Sequence, residues 1–588
     1  MLAALFGSLL TTVTAPATAA PATTPTIQPV PTAPAGKSAQ RPLSRNGNQS
    51  EPRHWHPGRS TLPQSATAPP VGDTGSATLV VSVRDRFGAR PKTEHASYAL
   101  AFDLATGALT GVPLTNGQGS ARLTPGTYLV QAFVETPEAN GQLSLSMPMQ
   151  AQVPVVGSTQ TTLDARGTAR VTASTDRADA QLAGGTVQVT QRTPGELIWY
   201  AADFDYPGGI YVQPTNQVPG LDLNVYTALT RNGASTSPYI YHLTFESTNG
   251  IPPQPAFTAQ TTALAAVTMQ VNGQGQTACG RIGAQGYDPD LPIGLGTSVT
   301  AGPVPATYEA YFTPGTNVLW SPTARILPAD CTETAGGDYF ITERTFPTAG
   351  PYAVTFGRAP LGPTVTRSSN PYAFWPAERD GDVLRFGIPA YADAGARNGG
   401  PTANFAADYP ATTGTTTLSL ADGTILGSTN RTAFGEFPVP SEELQYVLTT
   451  EAIRDAPWSS LSTRQRAVWT FTSAHLDQAA SLPLLAVRYD LGLDNLNRAP
   501  AEAPFTFDVS VEQSGSEPAQ QIESLTLSAS FDDGATWQPV SLARTGDRWT
   551  ASLTHPATGG YVSLRATATD LAGNAVDQTM IRAYGLAG

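Results

Sequence analysis

The chain has 588 residues, with 55 Gly, 51 Pro and only 13% charged side chains. Its net charge of −13 and pI near 4.9 argue against nucleic acid and anionic membrane surfaces as partners, because like charges repel. The length predicts several domains, and so much Gly and Pro opposes helix interiors.

The first twenty residues, "MLAALFGSLLTTVTAPATAA", are apolar and then small. Ala17-Thr18-Ala19 fits a cleavage site, so 1–20 reads as a secretory signal peptide, though no basic residue precedes the apolar run. Export puts the protein outside the cell, where a disulfide persists. No later stretch approaches the ~18 apolar residues that a membrane span needs, so no transmembrane segment is expected. Residues 21–72 are rich in Pro, Ala, Ser and Thr and nearly devoid of large apolar side chains. That composition cannot bury enough surface to offset its ordering entropy, and a disordered spacer is expected.

Order is expected from about residue 73. "ATLVVSVRD", "SYALAFDLATG" and "ARLTPGTYLVQAF" alternate apolar and polar positions around tight turns, which predicts a small β-sandwich over 73–165. Residues 166–368 contain the strand candidates "TVQVTQ", "LIWYAADF", "GIYVQP", "NVYTALT" and "YIYHLTFES". They predict one larger β-sandwich or jelly-roll-like domain. Cys279 and Cys331 fall inside it and are expected to pair, the alternative being two free thiols. Next, "DGDVLRFGIPAYAD", "TTTLSLADGTILGST", "LQYVLTTEAI" and "RAVWTFTSAH" predict a third sandwich over 369–498, with Asp422-Gly423 as a hairpin turn. The remainder, 499–588, gives about six strands joined by short turns and predicts an immunoglobulin- or fibronectin-like sandwich. The expected class is therefore all-β: prealbumin-like, jelly-roll-like and immunoglobulin-like sandwiches in tandem.

Several strings invite a chemical reading. "GLGTSVTAGP" (294–303) looks like the nucleophile segment of a subtilisin-type protease, with Ser298 as the serine, and "VGDTGSATL" offers Asp73 in an Asp-Thr-Gly. A serine hydroxyl needs a histidine base. Only His95 and His242 lie between Asp73 and Ser298, neither is followed by Gly, and Pro303 stands one residue late for the pattern. Both strings are read as turn segments. His54 and His56 in "HWH" offer two imidazoles without a third ligand. "YDPDLP" (Asp288, Asp290) and "YDLGLDNLN" (Asp490, Asp494, Asn495) cluster oxygen ligands that would suit calcium, without the spacing of an EF-hand loop; solvated acidic turns are the plainer expectation, and no other cofactor is expected. "SFDDGATW" matches the Asp-box pattern through Ser530, Asp532, Gly534, Thr536 and Trp537. Asp532 would accept turn N–H groups, Gly534 would allow a positive φ and Trp537 would pack beneath the hairpin.

"TERTFPTAGPY", "RDGDVLRFGIPAYAD", "LSTRQRAVWTFTSAH", "SFDDGATWQPVSLARTGDRWTASLTHP" and "YVSLRATATDLAGNAVDQTMIRAY" together resemble the accessory region that follows the catalytic domain in large secreted subtilisin-like serine peptidases of actinobacteria. The resemblance covers roughly 76–585. In that family the peptidase domain precedes this region; here a signal-like segment and a spacer stand in its place, and no catalytic residue of the family maps onto a position of this chain. The resemblance thus implies a secreted, non-catalytic β protein that binds cell-wall carbohydrate, an extracellular protein or a separate peptidase. The enzymatic alternatives are a peptidase remnant using Asp73 and Ser298, a glycosidase with two loop-borne carboxylates, or a fragment of a longer peptidase.

Overall fold

A computed structural model describes residues 10–12, 55–59 and 75–587, apart from 195–196, 205, 288–294, 333–336, 343, 367–376, 395–402, 405–411 and 516–518. For several edge segments, 295–301 among them, it describes the backbone alone. The chain is all-β: its described elements are strands and two single-turn 3-10 helices, Ala165–Gly167 and Thr261–Ala263. It is built of several β-sandwiches in tandem.

The first sandwich follows from period-two patterning. Ala77–Arg84 buries every second residue, placing Ala77, Leu79, Val81 and Val83 inside. Its three-stranded sheet (Ser158–Asp164, Ala77–Arg84, Gln118–Leu123) faces a four-stranded one (Met149–Val155, Gly126–Ala132, Tyr98–Asp103, Leu109–Pro113). Between them lies a core of Val81, Val83, Val112, Val130 and Leu163. The opposite face of the four-stranded sheet is also apolar. Leu100, Phe102 and Leu129 pack there with Leu145, Val187, Ile210 and Leu223. Hydrogen bonding crosses the same seam, because Leu143–Met147 pairs in parallel with Ile210–Val212. The break expected after 165 is thus bridged by both a sheet and a core.

The span 166–368, expected as one unit, carries two closures. Thr172–Thr175 pairs in parallel with Ala256–Ala259, and Ala265–Val271 pairs in parallel with Gly350–Phe356. The two halves share an eight-stranded sheet, joined where Tyr239–Ser247 runs parallel to Ala306–Phe312. Trp55–Arg59, inside the expected spacer, is an edge strand of this sheet on Leu197–Asp203. Leu10–Thr12, inside the expected leader, pairs with Leu295–Val304. Open sheet edges present unpaired N–H and C=O groups, which an extended segment satisfies whatever its hydrophobicity.

The expected break after 498 is not a break in hydrogen bonding either. Leu485–Asp490 pairs with Pro504–Gln513, and Arg464–Ser473 pairs with Ala575–Ala587. The third and fourth sandwiches therefore share a nine-stranded sheet, and one apolar cluster runs from Ala228 to Leu586.

Candidate functional site

Of the four residues weighed as a protease site, only His95 and His242 have described side chains, and each is engaged elsewhere. Asp73 lies outside the described residues. Ser298 sits within the Leu295–Val304 strand, where its backbone pairs with Gly283 and Thr12; its side chain is not among the described ones. His95 is at the seam between the first two sandwiches. Its Nδ1 lies 3.3 Å from Glu135 Oε2, and the Tyr206 hydroxyl donates to Glu135 Oε1 at 3.0 Å. Glu135 is almost fully buried, so these bonds satisfy a carboxylate that would otherwise be costly inside. His242 is buried between rings, stacked on Phe312 at 5.0 Å and beside Trp320 at 6.3 Å. Burial alone pushes its pKa down to about 3.

The remaining described histidines are also engaged. His475 Nδ1 lies 2.8 Å from Asp382, which raises its pKa. His555 bridges the Pro500 carbonyl at 2.8 Å and the Tyr584 hydroxyl at 2.9 Å; burial lowers its pKa. Of "HWH", His54 lies outside the described residues, and His56 is a strand position whose side chain is not described.

Of the two oxygen clusters weighed for calcium, the described one is engaged within the protein. Asp288 and Asp290 lie outside the described residues. Asp490 binds Arg358 at 2.8 Å. Asp494 accepts the Leu496 and Arg498 amides at 2.9 and 2.8 Å and holds the Arg498 guanidinium. The Asn495 carbonyl accepts the Gly273 amide at 2.9 Å. Among the described residues no group of three or more acidic, His or Cys side chains is arranged to hold a metal.

Instead, Asp494 shapes a turn that presents Asn497. Asn497 has φ +58, a backbone that Asn tolerates better than most residues, and is buried. Its Nδ2 donates to the Gly273 and Gly357 carbonyls at 2.8 and 2.7 Å. Its Oδ1 accepts the Ala359 amide at 2.9 Å. The side chain thus ties the turn that leads into the fourth sandwich to Gly273 and the 357–359 segment of the second, while its backbone carbonyl accepts the Gly585 amide at 3.0 Å.

Beyond Asn497, the connecting segment 357–365 is threaded through a polar cradle. Asp393 accepts the Gly357 amide at 2.8 Å. Gln465 donates to the Leu361 carbonyl at 2.7 Å, and Arg488 to that of Pro363 at 2.9 Å. Glu512 accepts the Thr364 hydroxyl at 2.7 Å. Arg454 and Asp338, both buried, form an ion pair across the same joint. A buried irregular segment requires such partners, since apart from the Gly362 and Thr364 amides, which bond to the Ala392 and Pro389 carbonyls, few of its backbone groups meet another strand. Sequence reading missed this joint; the only signal was polar residues within otherwise apolar strands, as at Gln465 and Arg488.

The Asp-box residues close a local hydrogen-bonded turn between Ile522–Ser530 and Gln538–Pro539. Asp532 accepts the Thr536 amide and hydroxyl at 2.8 and 2.6 Å and the Ser530 hydroxyl at 2.7 Å. These bonds, the Thr536 hydroxyl foremost, hold its pKa near 2. Gly534 has φ +88, and Trp537 lies against it. Cys279 and Cys331 form a disulfide across 52 residues.

No family model and no curated protein matches the sequence. Among solved structures the chain is similar to the Bacillus anthracis TIE protein, at 9% identity over 47% of this chain and 50% of that one, with a TM-score of 0.11. It is also similar to a streptococcal ancillary pilin, at 11% identity over 47% and 98% of the two chains (TM-score 0.11). A third is the chicken CNTN1 FN1–FN3 domains, at 9% identity over 63% and 97% (TM-score 0.11). The chain spans about half the length of the Bacillus anthracis protein. Likenesses at this level carry no argument about function. No helix among the described residues is long and apolar enough to cross a membrane.

Proposed function

We propose that the chain is a secreted, non-catalytic β protein that works by binding cell-wall carbohydrate or an extracellular protein, in the manner of an accessory region of secreted subtilisin-like peptidases. The observation that carries this reading is the fate of the histidines. Each one with a described side chain is engaged structurally: His95 with Glu135, His242 with Phe312 and Trp320, His475 with Asp382 and His555 with Pro500 and Tyr584. A catalytic histidine pairs one ring nitrogen with a carboxylate and turns the other to the serine; among the described side chains none of these histidines is hydrogen-bonded to a serine. The acidic side chains Asp490, Asp494 and Asp533 are paired with arginines. The disulfide suits an oxidising compartment.

The test uses purified full-length protein in two assays. Cosedimentation with insoluble cell wall, and capture by immobilised exported proteins of the same cells, should each be scored against a denatured control; binding in one of them is expected. Casein hydrolysis and labelling by a fluorophosphonate probe should both be absent. Labelling at Ser298, abolished by Ser298→Ala, would replace this reading with the peptidase one.

A further inference from the structure

We propose that this chain bears tension along its length, four of its five closures being parallel strand clasps that take the load in shear. The inference rests on topology and does not depend on the ligand. In the first sandwich the entering strand Ala77–Arg84 runs parallel to the leaving strand Ser158–Asp164 over seven residue pairs, from Thr78 opposite Ser158 to Arg84 opposite Asp164. The same device recurs. Thr172–Thr175 runs parallel to Ala256–Ala259 over four pairs, and Ala265–Val271 to Gly350–Phe356 over seven. In the last sandwich Arg498–Pro500 runs parallel to Gly585–Ala587 over three.

Parallel closure has a mechanical consequence. Tension pulls the start of the entering strand one way and the end of the leaving strand the other. These points lie at opposite ends of the clasp, so all its hydrogen bonds are sheared together. Were the two strands antiparallel, both loaded ends would lie at one end of the ladder and the bonds would break in turn. The third sandwich is of that second kind: Ala377–Gly381 pairs antiparallel with Leu476–Ser481. Its other sheet continues into the fourth sandwich through seven pairs between Arg464–Ser473 and Ala575–Ala587. The joints between sandwiches are similarly closed. Asn497 and the cradle around 357–365 fix the later joint, and the parallel pairing of Leu143–Met147 with Ile210–Val212 fixes the first. The disulfide lies inside the clasp of the sandwich bounded by Ala265 and Phe356, so it withholds 52 residues from extension even after that clasp fails.

Single-molecule stretching of the full chain tests this without altering a clasp residue. The native cysteines are paired, so one added thiol takes the handle, with the other handle at the N-terminus. Once the edge strands Leu10–Thr12 and Trp55–Arg59, common to both geometries, have peeled away, Arg166→Cys, just past Asp164, loads the first clasp in shear. Val156→Cys, at an exposed residue just before Ser158, loads the same clasp from one end. The rupture force should be at least roughly twofold higher through residue 166, because seven pairs share the load. Equal forces in the two geometries, with both variants melting like the parent, would overturn the proposal. Stretching between the two chain ends gives a second reading. Reduction should lengthen one unfolding step by about 19 nm, at ~3.6 Å for each of the 52 residues released. If the steps occur at forces no higher than that of the residue-156 geometry, the clasps carry no load and the idea fails.

Discussion

Replacing Asn497 by Ala should loosen the joint between the second sandwich and the turn that leads into the fourth more than any other single polar substitution there. The side chain makes three good hydrogen bonds in a buried setting, to Gly273, Gly357 and Ala359. At about 1 kcal/mol net for each bond, the direct loss is about 3 kcal/mol. The Gly357 carbonyl keeps a second donor in Gln274 Nε2 at 2.6 Å, so its desolvation is covered. The Ala359 amide is left without this acceptor, which adds roughly 1 kcal/mol or more. Ala at φ +58 adds about 1 kcal/mol of backbone strain. The expected destabilisation is about 4–5 kcal/mol for Asn497→Ala and about 1 kcal/mol less for Asn497→Gly, which removes the strain alone. Asn497→Asp should be worse than Gly, because a carboxylate would face two carbonyl oxygens. Urea unfolding followed by tryptophan fluorescence measures these differences, read on the transition that includes the buried Trp458 and Trp469. Ala and Gly variants within about 0.5 kcal/mol of the parent would refute the claim that this side chain holds the joint.

Stability should fall in mild acid. His242 is neutral in the folded protein down to about pH 3, whereas its unfolded form takes a proton near pH 6.5, so its contribution is complete above about 6.5 and lost as pH falls, by ~1.4 kcal/mol per unit. His242→Phe should flatten that slope in melting curves taken from pH 7 to 4; an unchanged slope would show that another group sets it. His475 acts in the opposite sense: its raised pKa makes its pairing with Asp382 present below about pH 6.5 and lost as pH rises, so His475→Gln should remove stabilisation only on the acidic side. Reducing the Cys279–Cys331 bridge opens a loop of 52 residues and should cost about 4 kcal/mol in the chain-entropy model, seen as a lower melting temperature in reductant. Gly534→Ala should cost about 1–2 kcal/mol, since φ is +88 and the new Cβ would meet Ile581 Cδ1 at 2.8 Å; an unshifted melting temperature would show that the hairpin relaxes freely.

What could be read from residues was what local chemistry dictates. Alternating apolar positions such as Leu79, Val81 and Val83 specify a strand with one buried face wherever the strand lies, so the all-β class was legible. The Asp box was legible for the same reason, because all its hydrogen bonds close within seven residues, from Ser530 to Thr536. The pairing of Cys279 with Cys331 was legible because they are the chain's two cysteines. Which sheet a strand joins is different, because it depends on partners far along the chain. Nothing local in "RAVWTFTSAH" says that it pairs with Ala575–Ala587 rather than ending a domain. Nothing in "YDLGLDNLN" separates oxygen atoms that would bind calcium from oxygen atoms bound to Arg358 and to the Leu496 and Arg498 amides. Those partners are brought together only when the sandwiches dock. The period and polarity of the chain determined what its modules are made of; the burial of 357–365 and Asn497 decided that the later modules form one joined body.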